Sequence, residues 1–244
     1  MNSFLIGLQF LTRIHLVRQT VWTAEDFGRS TRFFPLIGLV LGICYALAAW
    51  LLLYVLGMRS LTAALLLILP LLLTGGLHAD GFMDTADGVF SGRERARKLE
   101  IMKDSRVGAF GVVSFVMLMF VQFALLSDMA PLLLVPALFV MPIIGRLAMV
   151  LAVACFPYAR EDGMGKTFAD MADRKTIVTA SVMAVVFVFP CGLGGSGRSP
   201  TGAGRHDRPI RRRFSHRPSR RLLRQMDRRS AHADTGYFPG LSLY

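Results

Sequence analysis

Cysteine is scarce: the chain has three in 244 residues, Cys44, Cys155 and Cys191, and no C-x-x-C pair. That excludes a disulfide framework and a cysteine zinc site, and leaves each thiol as a small apolar side chain. Charge is scarce as well. Charged residues make up 18% of the chain, against about 25% in a soluble domain. Period-two alternation is missing too; its 53% hydrophobic residues gather in unbroken blocks. These shortages exclude a water-soluble globule and a disordered chain.

The C-terminal segment lacks something different. Residues 191–244 contain no Lys, no Glu and no Val, and all 12 of their basic residues are Arg. They carry a net charge of +9, whereas residues 1–190 carry +3, so most of the total of +12 lies past the break at Pro190. A basic arm for RNA or acidic lipid is one reading of this segment. The joint loss of Lys, Glu and Val instead fits a GC-rich gene read out of frame. Residues 1–190 are therefore expected to form one apolar domain, and 191–244 a basic, disordered tail with no nucleic-acid partner.

A bilayer core takes about 20 apolar residues per helix. The blocks Leu36–Leu56, Leu61–Leu77, Gly108–Leu126, Leu132–Phe156 and the short Ile177–Phe189 meet or approach that length. The predicted fold class is an all-α, polytopic helical bundle of about five spans in a lipid bilayer. Phe4–Leu16, which contains Arg13 and His15 and no cleavage site, is expected as an N-terminal interfacial helix.

Loop charge gives the orientation. Arg13, Arg18, Arg29 and Arg32 precede the first span. Arg93, Arg95, Arg97, Lys98, Lys103 and Arg106 follow the second, and Arg160, Lys166, Arg174 and Lys175 follow the fourth. Between the first and second spans stands Arg59 alone, and between the third and fourth there is no Lys or Arg. The N-terminus and the 78–106 and 157–176 loops are thus expected in the cytoplasm. A fifth span would send the arginine-rich tail outside, against the same rule.

The most informative stretch is Gly75-Gly76-Leu77-His78-Ala79-Asp80-Gly81-Phe82-Met83-Asp84-Thr85-Ala86-Asp87-Gly88. On a helix Asp80, Asp84 and Asp87 fall within roughly 60° of one another. Three such carboxylates repel unless a cation joins them, and clustered carboxylates suit Mg²⁺. A solvated polar face is the plainer reading, but ionisable groups beside lipid point to function. Gly81 and Gly88 would let a phosphate ligand approach the backbone. Downstream, Lys103 and Arg106 are placed to clamp phosphate oxygens, and Asp104 to serve as metal ligand or base. Together these residues point to a Mg²⁺-dependent transferase with a phosphate or diphosphate substrate.

The blocks Phe10–Ile14, Phe33–Gly38, Gly75–Gly88, Ile101–Gly111 and Tyr158–Gly165 together resemble the cobalamin 5'-phosphate synthase (CobS) family, the adenosylcobinamide-GDP ribazoletransferases. The resemblance implies a multi-pass enzyme of the bacterial inner membrane with its active site on the cytoplasmic side. Such an enzyme joins adenosylcobinamide-GDP to α-ribazole or its 5'-phosphate and releases GMP. It further implies that Asp80, Asp84 and Asp87 bridge Mg²⁺ to the diphosphate. Asp104 would be a metal ligand or base, and Lys103, Arg106 and Arg146 or Arg160 would neutralise phosphate charge. His78 stays open between an outer partner of the metal and a helix-end residue. A homo-oligomer, or a complex with other cobalamin-assembly enzymes, is compatible with it. The family ends in a further hydrophobic span or two and a Gly-Gly-x-Thr-Gly-Asp-like segment, which Gly194–Arg198 echoes superficially at best. That departure implies an impaired product if the segment closes the substrate site.

Three rival readings fit the residues less well. A CDP-alcohol phosphotransferase expects Asp-Gly-x-x-Ala-Arg, but Asp80-Gly81-Phe82-Met83 continues with Asp84. An Asp-rich membrane prenyltransferase expects two separated acidic motifs, and a transporter expects acids near mid-span.

Overall fold

The computed structural model describes residues 3–17, 23–57, 59–161 and 163–193. Arg18, Asp162 and residues 194–244 of the basic tail lie outside them. Every assigned element among the described residues is a helix. In chain order the α-helices are α1 (Ser3–Leu11), α2 (Ala24–Arg29), α3 (Phe34–Leu51), α4 (Arg59–Thr74), α5 (Leu77–Phe90), α6 (Arg95–Ile101), α7 (Ala109–Asp128), α8 (Pro131–Cys155), α9 (Met164–Met171) and α10 (Arg174–Leu193), with a 3-10 turn at Ser30–Phe33 and a π turn at Leu52–Leu56. The all-α, polytopic class read from hydropathy is the architecture present.

Among the described residues four helices are long and apolar enough to cross a bilayer: Ala24–Val55, Ala109–Asp128, Pro131–Cys155 and Arg174–Cys191. The stretch expected as a straight second span, Leu61–Leu77, is broken. Leu61–Thr74 and Leu77–Phe90 meet at 94°, so they make a fifth crossing only if the bent pair counts as one. The cause lies in Gly75 and Gly76, both left-handed at φ of 65° and 76°, which glycine adopts at no steric cost. The last span also departs from its expected bounds. The helix begins at Arg174, where Asp173 accepts from the Thr176 N–H at 2.8 Å, and it passes through Pro190 to Leu193.

Two helices organise the core. α3 and α8 pack along each other more extensively than any other pair among the described residues. One apolar cluster joins Leu8 and Leu11 of α1 to Phe34, Ile37, Val150, Phe168 and Ala180. A second joins Leu41, Tyr45 and Ala49 of α3 to Leu66, Leu134 and Leu138. α1 has nine residues, too few to span, and it lays Ile6, Leu8 and Leu11 into the bundle. By contrast α7 leaves most of its apolar side chains exposed, Phe120 by 70%, as a lipid-facing helix does.

The α3–α8 contact has a simple origin. Gly38 and Gly42 form a G-x-x-x-G pair, and the α8 backbone rests directly on it. A Cβ on Gly38 would meet the Pro142 carbonyl at 2.6 Å, and one on Gly42 would strike the Phe139 carbonyl. Small residues at this spacing are how helices approach closely in lipid. Gly42→Val should lower stability in detergent by about 1–3 kcal/mol. Gly145→Ala, at a helical glycine with open space around it, should be neutral or gain up to about 1 kcal/mol. Thermal unfolding of the two variants checks the contrast, and equal effects would contradict it.

Candidate active site

The bend places α5. The Arg13 N–H donates to the Leu73 carbonyl at 2.7 Å, satisfying an orphan acceptor at the end of α4. The Arg13 guanidinium packs against Gly75, leaving no room for a Cβ there. α5 then starts at once and carries Asp80 in its first turn, where a carboxylate complements the helix dipole.

The three aspartates share a side of α5 but not an environment. Asp80 is exposed, Asp84 half-buried and Asp87 buried. Both Asp87 oxygens are taken by the backbone at the start of α7: Oδ2 accepts from the Gly108 N–H at 2.7 Å, and Oδ1 from the Gly111 N–H at 2.8 Å. Gly108 is the N-cap of α7 and Gly111 its third helical residue. In a capping box those two N–H groups are satisfied by the helix's own side chains. Two glycines supply none, so Asp87 serves both from another helix. The glycines are also what admits it, because a Cβ on either would collide with the Asp87 carboxylate.

Asp84 lies within electrostatic reach of Asp80, Asp87 and Arg160. Arg160, in the turn after α8, also lines an open cavity of about 420 Å³ walled by Leu99, Met102, Val153 and Phe156. Gly81 is exposed with nothing near its Cβ position, leaving the backbone open to a ligand. Gly88 is not open: it is buried, and a Cβ there would strike the Met102 side chain, so it serves the packing of α6 on α5.

Asp104 and Arg106 face each other in the turn before α7. Arg106 Nη2 meets Asp104 Oδ2 at 2.7 Å, and the Arg106 N–H donates to Oδ1 at 3.0 Å. These hydrogen bonds hold the Asp104 carboxyl down to about 2, so it is ionised at neutral pH but a weak proton acceptor. Lys103 is exposed in the same turn. His78 is not brought to the aspartates. It sits almost opposite them on α5, where its Nε2 meets the Met149 sulfur at 3.3 Å.

The family model for cobalamin-5-phosphate synthase, CobS, matches residues 3–203. The chain belongs to the CobS family. Among curated relatives, the adenosylcobinamide-GDP ribazoletransferase of Desulfitobacterium hafniense is 47% identical over 173 residues, covering 69% of this chain and 67% of its own. That of Syntrophobacter fumaroxidans is 41% identical over 197 residues, 77% of each chain. That of Clostridium acetobutylicum is 36% identical over 193, covering 79% and 76%. No solved structure matches. The CobS match runs 13 residues past the compositional break at Pro190.

The CobS chain presents its acidic donors unevenly. Among the described residues no group of three His, Cys, Asp or Glu side chains stands close enough to hold a metal ion, so the three-carboxylate cage expected from helical spacing is not assembled. The donors still suit Mg²⁺, which is commonly held by one or two carboxylates with substrate phosphates and water. Asp80 and Asp84, one turn apart and accessible, are such a pair. The sequence did hold the missing signal for Asp87, namely the Gly108-x-x-Gly111 spacing at a helix start. Asp87→Ala should cost about 2–3 kcal/mol of stability by orphaning one buried and one half-buried N–H group, while Asp80→Ala should leave the unfolding temperature near wild type. A destabilised Asp80→Ala beside an unaffected Asp87→Ala would contradict this division.

Proposed function

We propose that this chain is a membrane transferase of cobalamin nucleotide-loop assembly. It transfers the cobinamide-phosphate group of adenosylcobinamide-GDP to the ribose 3'-hydroxyl of α-ribazole or its 5'-phosphate. The products are GMP and adenosylcobalamin or its 5'-phosphate. The observation that carries the proposal is the accessible Asp80–Asp84 pair beside Arg160, in a chain whose curated relatives bear the ribazoletransferase name.

Asp80 and Asp84 would hold Mg²⁺, and when bound it supplies charge neutralisation at the diphosphate and the departing GMP. Arg160 faces the same region from the cavity side and is placed to take a phosphate oxygen. Lys103 and Arg106 offer further cationic donors in the turn before α7. Asp104 can accept the hydroxyl proton at a carboxylate oxygen once Arg106 turns to phosphate, because that ion pair is what keeps its basicity low. Asp87 positions the set by fixing α5 against α7. The loop charges support a cytoplasmic face for this site and an inner-membrane location.

Membranes containing the protein should release GMP from adenosylcobinamide-GDP and α-ribazole with Mg²⁺ and not with EDTA. Mg²⁺-independent release, or none from either this chain or a full-length relative, would refute the proposal. Asp84→Asn should lower turnover by about 100-fold or more with membrane insertion intact; retained activity would remove Asp84 from the ligand set. We further propose that the arginine-rich segment past Pro190 slows this 244-residue form without abolishing the reaction, which turnover equal to that of the relatives would contradict.

A further inference from the structure

On the far side of α5 from the aspartates, the bundle holds a charge with no counter-charge. Arg146 of α8 is 8% exposed. Its Nε is buried without a hydrogen-bond partner, and its Nη1 reaches the Met149 sulfur at 3.8 Å. A thioether is a weak acceptor, and among the described residues no carboxylate pairs with this guanidinium. A guanidinium stays charged even when buried, so leaving it unpaired at membrane depth is costly.

The neighbours supply no carboxylate. His78, half-buried, shares the Met149 sulfur with Arg146, and its Nδ1 is buried without a partner. The Tyr45 phenol of α3 lies within electrostatic reach of Arg146. His78 is the second residue of α5, so the positive end of that helix dipole adds to the same potential. Arg146 stands nine residues before the end of α8, about 14 Å along the helix at 1.5 Å per residue. The site is therefore inside the bundle, beside the Gly75-Gly76 bend.

We propose that Arg146, with His78 and Tyr45, forms a second anion site that takes one phosphate-class oxyanion. A planar fork, with an imidazole on the same sulfur and a phenol within electrostatic reach of it, offers directional donors for several oxygens of a tetrahedral anion. The anion comes either from a soluble phosphate or from the headgroup of an anionic lipid. The inference stands whether or not Asp80 and Asp84 bind metal.

The test uses the full chain in phosphatidylcholine nanodiscs with EDTA present, so that no metal bridges phosphate to the aspartates. Inorganic phosphate should raise the unfolding temperature of the wild type, and Arg146→Gln should abolish that rise. If the occupant is a lipid headgroup, phosphatidylglycerol in the disc produces the rise instead, again lost in Arg146→Gln. Arg146→Lys keeps the charge without the fork, and should weaken the effective probe by about tenfold. It carries the test should Arg146→Gln fail to fold. A wild type insensitive to both probes would overturn the proposal. So would an undiminished rise in Arg146→Gln, or an unchanged affinity in Arg146→Lys.

Discussion

Two N–H groups at the start of α7 need acceptors, and the helix that owns them offers no side chain at either position. Close to lipid, an unsatisfied backbone donor costs far more than at a wetted surface. Asp87 answers both from the last turn of α5, and the pairing fixes the rotation of α5 about its axis. Asp80 and Asp84 then point where they do because Asp87 is held, seven and three residues further along the same helix. On the buried side of Gly88 the Met102 side chain closes the contact with α6. The acidic motif thus divides its labour: one carboxylate builds the platform and two remain accessible upon it.

The membrane architecture was legible because hydropathy and positive charge report directly on the solvent each segment meets. What stayed hidden has local physical causes. The break after α4 lies in two left-handed glycines inside an apolar run, and hydropathy does not register dihedral angles. The wheel of α5 places three aspartates on one face, yet it holds no information about what stands opposite them. The wheel therefore groups Asp87 with the metal ligands, although its partners sit 21 and 24 residues downstream. His78 stands next to the cluster in sequence, which leaves its role open there, and two residues along a helix is about half a turn away. Gly38 and Gly42 could have been read from their spacing, since the close α3–α8 approach depends on absent side chains.

α5 consequently divides two polar regions of opposite character. Its acidic side holds Asp87 against α7 and brings Asp84 within electrostatic reach of Arg160. Its opposite side presents His78 to Arg146 within the bundle, where the uncompensated charge is positive. Each region is unfavourable alone, through like-charge repulsion on one side and an unpaired buried guanidinium on the other. Ligands of opposite sign would relieve both.

The central claim, that Asp80 and Asp84 bind the metal while Asp87 holds the helix, is most directly tested by titrating Mn²⁺ as a paramagnetic stand-in for Mg²⁺. Bound ion is followed by electron paramagnetic resonance, alongside thermal unfolding of the same samples. Asp80→Asn and Asp84→Asn should each weaken Mn²⁺ binding by about tenfold or more at unchanged unfolding temperature. Asp87→Asn should do the reverse, losing stability while the folded fraction keeps its Mn²⁺ affinity. Lost Mn²⁺ binding in Asp87→Asn at wild-type stability would contradict the account.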